Sequence, residues 1–177
     1  MNKTAKKISL VGILCAQALV LSWLESLLPA FPWMPPGAKP GFSNIVTMFA
    51  AGSVGISYAL MIAVVKAAFA FIIRGVTAGF MSLAGGVVST LMMYLLLGKL
   101  RGKFGFVGIS VICALCHNAA QLCVAAVLTG TGSIVMYAPV LLIFGVATGC
   151  VTGIIFKAII PVLNKQSKYF IEKSHFE

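Results

Sequence analysis

The sequence predicts an all-α integral membrane protein, a bundle of six transmembrane helices whose second helix is short. Three observations predict it. Hydrophobic residues make up 60% of the 177 positions and charged residues only 9%, and the mean hydropathy of +1.08 exceeds what a soluble core of this size requires. The apolar residues fall in long runs separated by Pro/Gly-rich or basic breaks. The formal charge of +10 sits in clusters flanking those runs, where it acts as an orientation signal rather than as a nucleic-acid footprint.

Ile8 to Leu28 is long enough to span the membrane and ends at bulky Trp23 and Phe31 rather than a small-residue cleavage site, so it reads as a retained first helix. Pro29 to Pro40 contains five prolines and Trp33 and reads as a stiff interfacial loop. From Gly41 to Ile73 the chain is apolar for about 33 residues, roughly 50 Å as one helix, against a hydrocarbon core of ~30 Å. The Gly52-Ser53-Val54-Gly55 stretch offers a break, giving a short segment over 41–52 and a full one over about 55–73. A short loop is expected over Arg74 to Gly79, then a span from Phe80 to Leu97 and a basic loop with Lys99, Arg101 and Lys103. Phe106 to Leu128 spans again, Thr129 to Ser133 forms a turn, and the last span runs from about Ile134 to Ile160, with Pro139 near its start and Pro161 at its end. The organisation is a basic N-terminus over 1–7, one six-helix domain over 8–160 and a basic tail over 161–177. No internal repeat emerges.

Charge placement selects six passes over five. With both termini cytoplasmic in the cell membrane, ten of the 13 cations lie inside, Lys39 and Arg74 lie outside, and Lys66 lies within a helix. Five passes would put the basic loop and the tail outside, against the positive-inside rule.

The same topology gathers the scarce polar residues into the outer half: Glu25 near the end of helix 1, Asn44 at the start of the short helix, Lys66 within helix 3, Arg74 at its end, Ser82 on helix 4, and His117, Asn118 and Gln121 on helix 5. The last three share a helical face by their spacing. Imidazole and amide groups cannot face hydrocarbon cheaply, so this face looks into protein or a watery cavity. It either forms interhelical hydrogen bonds or contacts a ligand. Lys66 either neutralises an anionic ligand, pairs with Glu25 or snorkels, while Lys39 and Arg74 are ligand contacts or interfacial charges. Cys113-Ala-Leu-Cys116-His117 fits the haem-attachment pattern, but its mid-helix position at membrane depth favours coincidence among packing thiols. No catalytic residue and no metal site is expected. The acidic residues are Glu25, Glu172 and Glu177 and there is no Asp, so no aspartate-rich Mg²⁺ site and no Walker-type ATPase can be built.

The stretch PGAKPGFSNIVT from Pro36 to Thr47, Arg74-Gly75, Ser82 with Gly85, Gly86 and Ser89, and Ser110 through His117 and Asn118 to Gln121 together resemble the Gx transporter family. That family is also called heptaprenyl diphosphate synthase component I and is similar to the substrate-binding S-components of energy-coupling factor (ECF) vitamin transporters. The resemblance covers about residues 8 to 160. It implies a six-helix, ECF S-component-like bundle with a ligand pocket near the outer face, and as partners an ECF-type coupling subunit driven by two ATPases. The sequence departs from the family at Cys113 and Cys116, where relatives more often carry small residues, and its Gly12 and Ala16 only approximate the small-residue docking pattern of helix 1.

The expected function is therefore a membrane subunit that binds a vitamin-like, anionic or aromatic ligand through Lys39, Asn44, Lys66, Arg74, Ser82, His117, Asn118 and Gln121. No resident cofactor and no nucleic-acid partner is expected. A membrane redox subunit with a quinone or flavin as its ligand, working with a redox partner, is the second reading. A non-catalytic component associated with prenyl diphosphate or quinone synthesis is the third.

Overall fold

The computed structural model describes residues 3–27, 41–99 and 105–170. Six α-helices and one 3₁₀ turn account for nearly all of them: α1 (Lys3–Leu27), α2 (Asn44–Ser53), α3 (Ile56–Arg74), α4 (Val76–Lys99), α5 (Phe106–Thr129), the 3₁₀ segment Gly132–Tyr137 and α6 (Ala138–Phe170). Five of these helices, all but α2, are long and apolar enough to cross a membrane. Lys39, Trp33, Arg101, Lys103 and the last residues of the tail lie outside the described residues.

The packing explains why α2 is short. Each long helix touches two others in the cyclic order α1, α3, α4, α5, α6 and back to α1, while α2 touches α1, α3, α4 and α6. The long helices thus form a closed ring and α2 fills its centre. Its ten residues rise about 15 Å, half the ~30 Å of hydrocarbon. Every residue from Val46 to Ser53 is buried, as befits a helix apolar all round.

The main apolar core gathers Leu10, Leu14, Met48, Phe49, Ile62, Leu96, Ile109 and Phe156. These residues come from the first half of α1, α3 and α5 and the last half of α4 and α6, so the core occupies one end of the bundle. A smaller cluster of Met81, Ala125 and Ile134 closes the opposite end. The polar side chains lie between the two.

Several connections are tighter than the sequence suggests. The stretch Arg74 to Gly79 reads as a loop, but Gly75 alone makes the break at φ 88° and α4 begins at Val76. A single glycine suffices because it enters positive φ without steric cost. The predicted break between α2 and α3 falls on Val54 and Gly55, the latter at φ 119°. Pro161 does not end α6, which continues to Phe170. Proline there forfeits its own N–H bond to the Lys157 carbonyl, at the edge of the apolar span.

The α5–α6 contact depends on glycines one turn apart on α6. A Cβ on Gly149 would lie 2.5 Å from Val111 Cα, one on Gly153 would lie 2.6 Å from Val107 Cα, and one on Gly145 would lie 2.8 Å from Leu115 Cδ2. This small-residue seam brings the two backbones together. On α1, by contrast, Gly12 and Ala16 are exposed, and nothing in the bundle stands within 4 Å of a Cβ at Gly12.

Candidate functional site

Four helices deliver polar side chains to one level of the bundle. Asn44 is the first residue of α2 and Lys66 lies midway along α3. Both are 11 positions from the Gly55 turn, so at 1.5 Å per residue they stand about 16 Å up adjacent antiparallel helices. Lys66 Nζ accordingly donates to Asn44 Oδ1 at 2.8 Å. The other end of that amide, Asn44 Nδ2, lies 3.4 Å from His117 Nδ1 on α5. Ser89 Oγ on α4 is also 3.4 Å from His117 Nδ1, and Gln121 Nε2 lies 3.0 Å from His117 Nε2. A continuous polar line therefore runs from Lys66 through Asn44 and His117 to Gln121.

The line is dry. Lys66, His117 and Gln121 are 5%, 6% and 3% exposed. A neutral imidazole has one acceptor nitrogen and one N–H, so with Nδ1 accepting from Asn44 the Nε2–H of His117 donates to Gln121, whose Oε1, the amide atom with no other partner, is the acceptor once the amide is turned over. Gly85 makes room for the imidazole: a Cβ there would stand 2.8 to 3.0 Å from three atoms of the His117 ring.

Charge is balanced from α1. Glu25 is buried and accepts two hydrogen bonds from one residue, Ser43 N at 2.9 Å and Ser43 Oγ at 3.3 Å. Ser43 is the N-cap of α2 and caps nothing with its own side chain, so α1 supplies the anion that the positive end of α2 attracts. The same carboxylate lies within electrostatic reach of Lys66 and Arg74. Sequence reasoning left Glu25 as one of three options for Lys66 and gave it no contact with α2.

The expected site residues divide. Asn44, Lys66, His117 and Gln121 come together in one line. Asn118 turns toward α6 and donates from Nδ2 to the Leu141 carbonyl at 3.0 Å, instead of following His117 and Gln121. Arg74 is half-buried at the end of α3, about 12 Å along the axis from Lys66. Ser82 is half-buried on α4 and does not line the void described next. Lys39 lies outside the described residues. Ser89, Glu25 and Ser43, which were not among the expected ligand contacts, join the network.

Between Asn44, Ser89, Ser110, His117, Asn118, Thr148 and Thr152 the bundle encloses a void of about 20 Å³. That is room for a single water molecule, where the sequence led us to expect a ligand-sized chamber. The side chains of Asn44, Ser89 and His117 bond to one another across the space. Two larger hollows lie nearby. A wholly apolar cleft of about 570 Å³ lies where the start of α4 meets the end of α5, with Phe80, Val87 and Val127 among its walls. A pocket of about 140 Å³ lies between α5 and α6.

The five cysteines are free thiols, with Cys113 packed into the main apolar core. Among the described residues no three His, Cys, Asp or Glu side chains cluster as a metal site would require.

Comparison with known proteins gives one match: the family model described as heptaprenyl diphosphate synthase component I, over residues 14–159. No curated protein and no solved structure matches the chain.

Proposed function

We propose, for a chain that belongs to the heptaprenyl diphosphate synthase component I family, that it is the substrate-binding membrane subunit of a small-molecule transporter, ECF S-component-like in its working. The observation that carries this reading is the line Lys66, Asn44, His117, Gln121, drawn from three helices into the interior of the bundle. A membrane bundle gains stability more cheaply from apolar packing than from burying a lysine, two amides and an imidazole. Such a line is retained for what it binds.

The ligand enters from the outer face and carries an anionic or electron-rich oxygen group that competes with Asn44 for Lys66, while His117, Asn118 and Gln121 read its polar edge. Ser82, Arg74 and Lys39 serve as outer contacts on the approach. Because the closed void holds about one water, binding exchanges internal hydrogen bonds for bonds to the ligand. Both termini face the cytoplasm. The chain has no phosphate-cradling Gly-Lys loop, so energy comes from a partner, a coupling subunit with ATPases. The family name refers to a synthase component. With no Asp in the chain and Glu25 already held by Ser43, this subunit cannot grip Mg²⁺ and diphosphate, and any part it has in prenyl diphosphate synthesis is accessory.

Native mass spectrometry of the full chain in mild detergent, wild type against Lys66→Met, tests the reading. A small molecule retained by the wild type and lost from the variant is expected. A molecule held equally by both would remove Lys66 from the site, and none in the wild type under any growth condition would overturn the reading.

A further inference from the structure

The pocket between α5 and α6 is separate from the closed void, and one residue borders both. Leu115, Leu122, Ala138 and Leu141 form its apolar walls, with Ala119 and Leu142 beside them. Ala119 and Leu142 are exposed and lie within the membrane-spanning segments, so the mouth opens toward lipid. Asn118 is the only polar side chain in the lining, and it also lines the void that holds His117. It is 8% exposed, and its bond from Nδ2 to the Leu141 carbonyl uses one of the several hydrogen-bonding positions an amide offers. Gly145 keeps this arrangement possible, since a Cβ there would come within 3.0 Å of Asn118 Nδ2.

We infer that this pocket is a lateral binding site for an uncharged, ring-sized group bearing one hydroxyl, which enters from the lipid side and hydrogen-bonds Asn118. Size follows from volume: the pocket measures about 140 Å³, and a protein cavity of about 150 Å³ is known to accept benzene. Neutrality follows from the lining, because no ionisable side chain contributes to it and an unpaired charge there would be costly. The hydroxyl follows from the amide, which offers a donor and an acceptor side by side, as a hydroxyl does in return. The two readings share Asn118, and Lys66→Met separates them, because this pocket does not involve Lys66.

The test is ¹⁹F NMR titration of the full chain in mild detergent with 4-fluorophenol and, separately, fluorobenzene. Saturable binding of 4-fluorophenol is expected in the wild type and in Lys66→Met. Asn118→Leu should weaken 4-fluorophenol about tenfold, the worth of one hydrogen bond, and leave fluorobenzene within about twofold. Ala119→Phe, a change at an exposed position that the fold tolerates, should abolish binding of both probes by filling the mouth. The inference is overturned if the wild type shows no saturable 4-fluorophenol binding or if binding survives Ala119→Phe. It is also overturned if Asn118→Leu leaves 4-fluorophenol unchanged, which would describe a crevice for lipid chain ends. Should Asn118→Leu fail to fold, the Ala119→Phe comparison alone decides.

Discussion

Gly85 and Gly86 are neighbours on one helix, and they allow the His117 environment to be tested with its own control. A Cβ at position 85 would stand 2.8 Å from His117 Cε1, 2.9 Å from Nδ1 and 3.0 Å from Nε2. An imidazole held on both sides cannot swing away as the tip of a flexible chain would. At position 86 the nearest atom is Ala63 Cβ at 3.4 Å, an ordinary contact. Both substitutions to Ala gain about 0.5–1 kcal/mol from reduced backbone freedom in the helix. Gly85→Ala must in addition push the ring, at about 1–3 kcal/mol for overpacking. It also lengthens the 3.4 Å contacts to Asn44 and Ser89, worth about 0.5–1.5 kcal/mol when they are lost. Gly86→Ala should therefore be neutral or stabilising, and Gly85→Ala should fall below it by about 2–4 kcal/mol. Titration with SDS in mixed micelles, followed by far-UV circular dichroism, measures the difference directly. Equal stability of the two variants would mean that the imidazole does not lie against α4, and the polar line would lose its middle.

Three further outcomes are expected. Glu25→Ala removes both bonds to Ser43 and the buried counter-charge, costing about 3 kcal/mol, whereas Glu25→Gln keeps an acceptor for the Ser43 N–H and should cost about 1; thermal melts in detergent separate the two. Gly149→Ala drives a methyl group into the Val111 backbone and should destabilise by about 3 kcal/mol, while Gly12→Ala, with nothing within 4 Å, should stay within about 1 kcal/mol of wild type on the stabilising side; the same SDS titration reads both. A cysteine introduced at Ser167 should be protected from an impermeant maleimide in intact cells and labelled after permeabilisation if the orientation proposed from the positive-inside rule holds; labelling in intact cells would reverse it.

How much of this was legible follows from what each signal measures. Apolar run length against bilayer thickness located the long helices and showed that one run had to break, and the break came at the glycine able to take positive φ. Run length says nothing of which helices are neighbours, so the ring with α2 at its centre was not visible. Nor was the seam of Gly145, Gly149 and Gly153, although their regular spacing of four is the signal that could have revealed it. Pro161 misled because a proline's local cost was set against a helix whose neighbouring turns remain bonded. The site was legible as a set of costly residue types at one depth. Its closure was not, since polar groups close enough to serve a ligand are also close enough to serve each other.

One register in the chain could have been read as geometry. Asn44 and Lys66 flank Gly55 at equal separations of 11 residues, and two helices that reverse at a one-glycine turn carry equidistant residues to equal height. Their hydrogen bond is thus a consequence of chain length, provided α2 and α3 remain helical up to the turn. The shortness of α2 then gains a purpose: its first N–H groups are taken by the carbonyls of Gly41, Phe42 and Ser43 in the preceding turn, and stopping there puts Ser43 within reach of Glu25 and the amide of Asn44 between a lysine and a histidine. Lengthening α2 by one turn before Ser43 should separate Glu25 from its partner without disturbing the apolar core beneath.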